Sequence, residues 1–175
     1  NYETLIPGHG VFCASASTED NTNRVAWMAF NDESGETSSG GSGFWRSEFY
    51  NSTDGPYNGS TGAYISNARL GSDTSLGEYL VLQLPYKIQL RGLSMTPWYR
   101  PASDDYDIAE FPKNFTIYGS NDGNNWYSVF VSPSQTLTAA SGSGATTEIT
   151  SYTITNNEYY KYFGLVVTET NYGNY

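Results

Sequence analysis

The stretch Pro112–Trp126, Pro-Lys-Asn-Phe-Thr-Ile-Tyr-Gly-Ser-Asn-Asp-Gly-Asn-Asn-Trp, limits what this chain can fold into more than any other. Phe115 and Ile117 alternate with Thr116 and Tyr118, the period of two expected of a half-buried strand. Asn121-Asp122-Gly123 follows, and glycine supplies the positive φ that a hairpin turn or its bulge requires. Trp126 then opens a second strand and is large enough to plug the end of a core. The segment reads as a β-hairpin, which bears on fold and leaves function to other parts of the chain.

From Glu78 onward the same pattern recurs. Leu80, Leu82 and Leu84 alternate with Val81 and Gln83, and Pro85 reads as the stop of that run. Ile88 and Leu90 continue the alternation, and the phase shift at Gly92 to Leu93 and Met95 reads as a bulge. Tyr127, Val129 and Val131 form a strand. Ile149–Ile154 and Tyr159–Thr168 are the last two, the latter with Phe163, Leu165 and Val167 on one face. Residues 1–23 read as irregular, and Val25–Phe30 fits either a short helix or an extended element. Asn31–Gly43, Trp98–Glu110 and Thr136–Thr147 read as polar loops. Tyr50-Asn-Ser-Thr-Asp-Gly and Tyr57-Asn-Gly-Ser-Thr-Gly repeat a unit too short for a solenoid, which reads as two successive turns. Short strands and many turn clusters predict one all-β domain over residues 1–175, an antiparallel sandwich or barrel.

Charge excludes some partners. Eighteen acidic and eight basic residues give a formal net charge of −10, with no basic run to displace counterions from nucleic-acid phosphates. The same deficit argues against docking on anionic membranes. No apolar run is long enough to cross a bilayer as a helix. Aromatics are 16% of the chain, with sixteen tyrosines, a residue that joins a flat apolar ring to a polar tip and serves both cores and binding surfaces. Cys13, the only cysteine, cannot form an intrachain disulfide and reads as a small buried hydrophobe. The chain begins at Asn1 without a Met, as expected of a processed or excised product. Asn51, Asn58 and Asn114 head Asn-x-Ser/Thr triplets, candidate glycosylation acceptors that fit a secreted protein.

Five blocks in order make the chain similar to the discoidin family, the C-type domains of coagulation factors five and eight, and the related family 32 carbohydrate-binding modules. Ala29-Phe30-Asn31-Asp32 resembles the family's Ala-Phe-Asp-Gly-Asn turn, and Phe44-Trp45 the Tyr-Trp that follows it. Gly77–Pro85 resembles its first long core strand, and Pro112–Trp126 the Phe-x-Ile-Tyr-Gly-Ser-Asn-Asp-Gly-x-x-Trp hairpin. Tyr162–Val167 resembles its Tyr-Phe-Arg-Leu-x-Val strand, with Gly164 in place of Arg. The resemblance implies a jelly-roll-like, galactose-binding-domain-like β-sandwich, non-catalytic and extracellular, which binds through loops at one end. It also implies Trp45 and Trp126 in the core, and a last strand that would lie beyond Tyr175.

Candidate sites follow from chemistry and from the likeness. His9, the single histidine, lies between two glycines, and Asp104, Asp105 and Glu110 read as a solvated acidic loop, so no catalytic set is expected. The resemblance implies a structural Ca²⁺ bound by carboxylate and backbone oxygens at Asn31, Asp32 and Glu33, with Thr37 as a fourth ligand and Glu169 in place of a terminal glutamate. The alternative there is an Asx-type turn held by its own side chains. A glycan site needs an aromatic platform and hydrogen-bonding side chains. Trp98, Tyr99 and Arg100 offer these, with Tyr50, Asn51, Asp54 and Tyr57 on a neighbouring loop. The alternative makes Trp98 a core lid and Arg100 an ion-pair partner of Asp104 or Asp105.

The leading expectation is a recognition module for carbohydrate on a cell or particle surface. Its rival is a structural or adhesive subunit of a filament, capsid decoration or adhesin, where other subunits are the partners. Membrane-lipid binding through Phe44 or Trp98 is disfavoured by the acidity.

Overall fold

Two eleven-residue strands, β3 (Glu78–Ile88) and β10 (Tyr160–Thr170), run antiparallel through the middle of the molecule. The computed structural model describes residues 2–3, 10–20, 24–31, 44–47, 55–100, 105–107, 111–134 and 150–171, with the backbone alone at 2–3, 98–100 and 105–107. Around that centre a six-stranded antiparallel sheet forms in the order β1 (Tyr2–Glu3), β2 (Val11–Ala16), β3, β10, β7 (Pro112–Ser120), β8 (Tyr127–Val131). A second layer pairs β4 (Gly92–Met95) with β9 (Thr150–Thr153), and a small hairpin joins β5 (Trp98–Arg100) to β6 (Asp105–Asp107). The architecture is an all-β antiparallel sandwich.

The main core lies between the two layers. Leu84, Phe115, Ile117, Phe163 and Val167 of the large sheet meet Tyr152 and Ile154 from the β9 side, with Leu93 and Met95 of β4 at its margin. Phe115, 2% exposed, stands edge-on to Tyr152 at 5.1 Å. Burying a side chain of that size stabilises by about 2–3 kcal/mol.

Contrary to the half-buried reading, β7 and β10 are covered on both faces. Tyr118, Trp126 and Val166 form a second cluster on the outer face, where Leu70 lies over them. The segment 66–77 is held down there by Ser75 N donating to the Tyr118 hydroxyl (3.1 Å), and it is closed on itself by Gly77 N donating to Ala68 O (3.0 Å). Trp126 thus packs outside the sandwich interior, against Gly71, and its buried Nε1 has no hydrogen-bond partner among the described residues. At Gly164, where the resemblance would have Arg, an added Cβ would come within 2.3 Å of the Leu70 side chain.

Several expectations are corrected. Pro85 lies inside β3, because the register jumps from Tyr160↔Ile88 to Tyr162↔Gln83, and the missing N–H falls in that irregular stretch. At Gly92 the chain changes sheets, since β4 pairs with β9 and not with the large sheet. Within residues 1–23, read as irregular, Val11–Ala16 is a strand. Its Cys13-Ala14-Ser15-Ala16 run has weak intrinsic β preference and is extended by pairing with β3. Ala26–Phe30 is a short 3-10 helix. Gly123 has φ 77°, as the turn required. Cys13 is only partly buried. Trp45, expected in the core, is half-buried, with Nε1 donating to Thr18 O at 3.1 Å.

Candidate ligand-binding site

At the end of the sandwich where β7 begins and β10 finishes, the segment 55–65 is built from its own turn upward. Asn58 Oδ1 accepts from Ser60 N (2.9 Å) and Thr61 N (3.0 Å), an Asx-type turn closed by Gly62 N donating to Asn58 O. Two bonds stitch it to β10: Thr170 N donates to Gly62 O (2.9 Å), and Tyr64 N to Thr168 O (3.0 Å). The aromatic rings of the segment point into this frame. Tyr57 donates its hydroxyl to Val167 O (3.1 Å) and meets Tyr64 edge to face at 5.3 Å.

Beneath them lies a carboxylate that sequence reasoning missed. Glu78 is 2% exposed, yet its charge is met by hydroxyls: Ser17 (2.5 Å) and Thr18 (2.6 Å) on Oε2, Tyr64 (3.2 Å) on Oε1. A buried charge is tolerated only when so satisfied. Glu78 shares the phase of Leu80, Leu82 and Leu84, and that spacing could have marked it as inward-facing. Burial, followed by the Glu78 charge, pushes the Tyr57 phenol well above its usual range. The Tyr57 hydroxyl, expected at the ligand site, is engaged by the β10 backbone.

The expected polar loop at Trp98–Glu110 contains a hairpin. Trp98 pairs with Asp107, Tyr99 with Tyr106 and Arg100 with Asp105. It precedes Phe111, whose carbonyl accepts from Asn171 N (2.9 Å) at the end of the large sheet where the 55–65 turn lies. Tyr50, Asn51 and Asp54 lie outside the described residues.

With this geometry the chain can be set beside known proteins. No protein-family model matches it, and no curated protein matches its sequence. Among solved structures, CpGH89CBM32-5 from Clostridium perfringens, in complex with GalNAc-β-1,3-galactose, aligns over 91% of this chain and 85% of its own, with a TM-score of 0.56 and 13% identity. The chain has the galactose-binding-like fold. Looser matches to this sandwich are CBM32-1 from a family 31 glycoside hydrolase of Clostridium perfringens (TM-score 0.48, 12% identity, 92% and 85% covered) and CBM62 from Clostridium thermocellum Xyl5A (TM-score 0.47, 15% identity, 94% and 87% covered).

In this galactose-binding-like sandwich the metal residues expected from the resemblance are not gathered by what is described. Asn31 caps the 3-10 helix, while Asp32, Glu33 and Thr37 lie outside the described residues. Both carboxylate oxygens of Glu169 are engaged, one ion-paired with Lys113 Nζ and the other accepting from Asn114 Nδ2. Among the described residues no three His, Cys, Asp or Glu side chains are grouped to hold a metal. Of the glycosylation candidates, Asn51 lies outside the described residues, Asn58 heads the exposed turn, and Asn114 uses the nitrogen a glycan would need to hold Glu169.

Proposed function

We propose that this chain is a non-catalytic, extracellular recognition module that binds carbohydrate on a cell or particle surface. It does so through the end of the sandwich that carries the β5–β6 hairpin. The observation that carries the reading is the fold shared with a sugar-bound module over 91% of the chain. The hairpin supports it, because Trp98, Tyr99 and Arg100 follow one another on β5, whose partner β6 precedes Phe111 by four residues, and Phe111 bonds Asn171 just past the end of β10. An aromatic residue for the apolar face of a pyranose and a guanidinium for its hydroxyls are the groups such a site needs. Glycan-array binding of the wild type, Trp98→Ala and Arg100→Ala tests this. Loss of a discrete set of sugar signals in both variants is expected, and unchanged signals would sink the reading.

A second reading, a subunit of a surface assembly acting by protein–protein contacts, is favoured by one feature. β8 is outermost in the sheet order, and its Tyr-Ser-Val-Phe-Val sequence has neither a charge nor a proline to discourage pairing. Mass measurement in solution at micromolar concentration decides it, since a stable monomer contradicts the assembly.

A further inference from the structure

The end of the sandwich away from the β5–β6 hairpin, where β7 finishes and β8 starts, carries a differently built group of tyrosines. Tyr127 opens β8 just after the Asn121–Asn125 turn and is 60% exposed. Its ring stacks on Tyr160, with centroids 6.4 Å apart and planes 21° from parallel. Tyr160 is itself immobilised: it is 8% exposed, stands edge-on to Phe163 at 6.1 Å, and lies across Gly119, where a Cβ would come within 2.3 Å of the ring. Tyr127 is thus a flat apolar surface braced from behind and open to solvent.

Polar groups surround it. Burial raises the Tyr160 phenol pKa, and the charge of Glu158, two residues earlier in the chain, and the Tyr127 phenol add to that rise. Asn121 is exposed, and its Nδ2 donates to Tyr159 O at 3.2 Å. Tyr159 is 57% exposed, and Tyr86, 51% exposed, sits in the irregular part of β3 between the residues facing Tyr160 and Tyr162. The hydroxyls of Tyr57 and Tyr64 serve the frame at the other end, whereas these rings are left outward.

We propose that Tyr127 is the platform of a second carbohydrate site, which takes a neutral pyranose stacked on its free face. A braced tyrosine suits this ligand because little side-chain entropy remains to be lost when the sugar stacks. The acidity of the chain excludes an anionic lipid or sugar acid as the preferred ligand. The site stands apart from the Trp98 end and does not depend on it.

Wild type, Tyr127→Ala, Tyr127→Phe, Trp98→Ala and the Tyr127→Ala/Trp98→Ala double variant are compared on an array of neutral glycans, followed by titration with each soluble oligosaccharide that gives a signal. Circular dichroism checks that each is folded, and Tyr127, being exposed, is a site where alanine leaves the sandwich intact. The expected result is a set of glycans retained by Trp98→Ala, weakened about tenfold by Tyr127→Ala and kept by Tyr127→Phe, which preserves the ring. If Tyr127→Ala leaves every signal unchanged, or Trp98→Ala alone removes them all, the second site is overturned. A folded wild type that binds no neutral glycan overturns it as well.

Discussion

Tyr64 and Tyr127 occupy opposite ends of one sandwich and use the same side chain in opposite ways. Tyr64 turns its hydroxyl onto the buried Glu78 and meets Tyr57, whose own hydroxyl bonds the β10 backbone. Tyr127 leans one ring face on Tyr160 and leaves the rest to water. At the first end the 55–65 segment uses Tyr57 and Tyr64 to hold a turn to a sheet; at the second, Tyr127 is displayed. A count of tyrosines therefore says little about where a ligand would bind. What matters is whether the polar tip is needed by the frame and whether a ring face is left over.

Substitutions at the two ends can break or sharpen that contrast. The largest effect is expected at Glu78, where alanine takes away the carboxylate to which the Ser17, Thr18 and Tyr64 hydroxyls donate. Chemical denaturation should show a loss of about 3 kcal/mol, with a smaller loss for Glu78→Gln, which keeps an acceptor oxygen. If Glu78→Ala were neutral, the hydroxyl cradle would not be what holds that end. Gly119→Ala comes next, because the added methyl must displace the Tyr160 ring. It should cost about 2 kcal/mol and lower any binding at Tyr127 as well, since the brace behind that ring is lost. Tyr57→Phe removes one hydroxyl bond to the backbone and should cost about 1 kcal/mol, while Tyr127→Phe should leave stability within about 0.5 kcal/mol of wild type. Equal effects at the two tyrosines would erase the distinction.

The smallest effect is confined to acid. Asp122 in the β7–β8 turn accepts from Asn125 N and Asn124 N (both 2.8 Å) and from Asn125 Nδ2 (2.6 Å). These bonds, led by the Asn125 backbone, hold its carboxyl well below the usual carboxylate range. Since the folded pKa is depressed, the stabilisation is present above the unfolded value of about 4 and is lost as pH falls below it toward the folded pKa. Thermal melts should show wild type losing its advantage over Asp122→Asn in that acidic window, and parallel curves would contradict the role of the turn.

How much of this was legible in the sequence varied with how local the cause was. Phe115, Ile117 and Gly123 announced the hairpin because alternation and turn chemistry are written within a dozen residues. The double burial of β7 and β10 was not legible, because Leu70, which covers Trp126 and Val166, is distant in sequence and lies in a segment without periodicity. Val11–Ala16 was missed for a similar reason, since its small residues become a strand only by pairing with β3. At the candidate site the pairing of Trp98–Arg100 with Asp105–Asp107 is not legible, because a polar stretch without alternation becomes a hairpin only by pairing with itself. Tyr57 and Tyr64 look alike in sequence to Tyr127 and Tyr159, and only the placement of Glu78 and Tyr160 separates frame from display.

The central claim, that the β5–β6 end recognises carbohydrate, is tested most directly by titrating wild type and Trp98→Ala with GalNAc-β-1,3-galactose and with each soluble oligosaccharide matching an array signal, both proteins first being shown to be folded. The account predicts saturable binding of at least one sugar by the wild type and its loss, by about tenfold or more, in Trp98→Ala. Equal affinity of the two proteins for every sugar bound, or no binding by folded wild type, would contradict it.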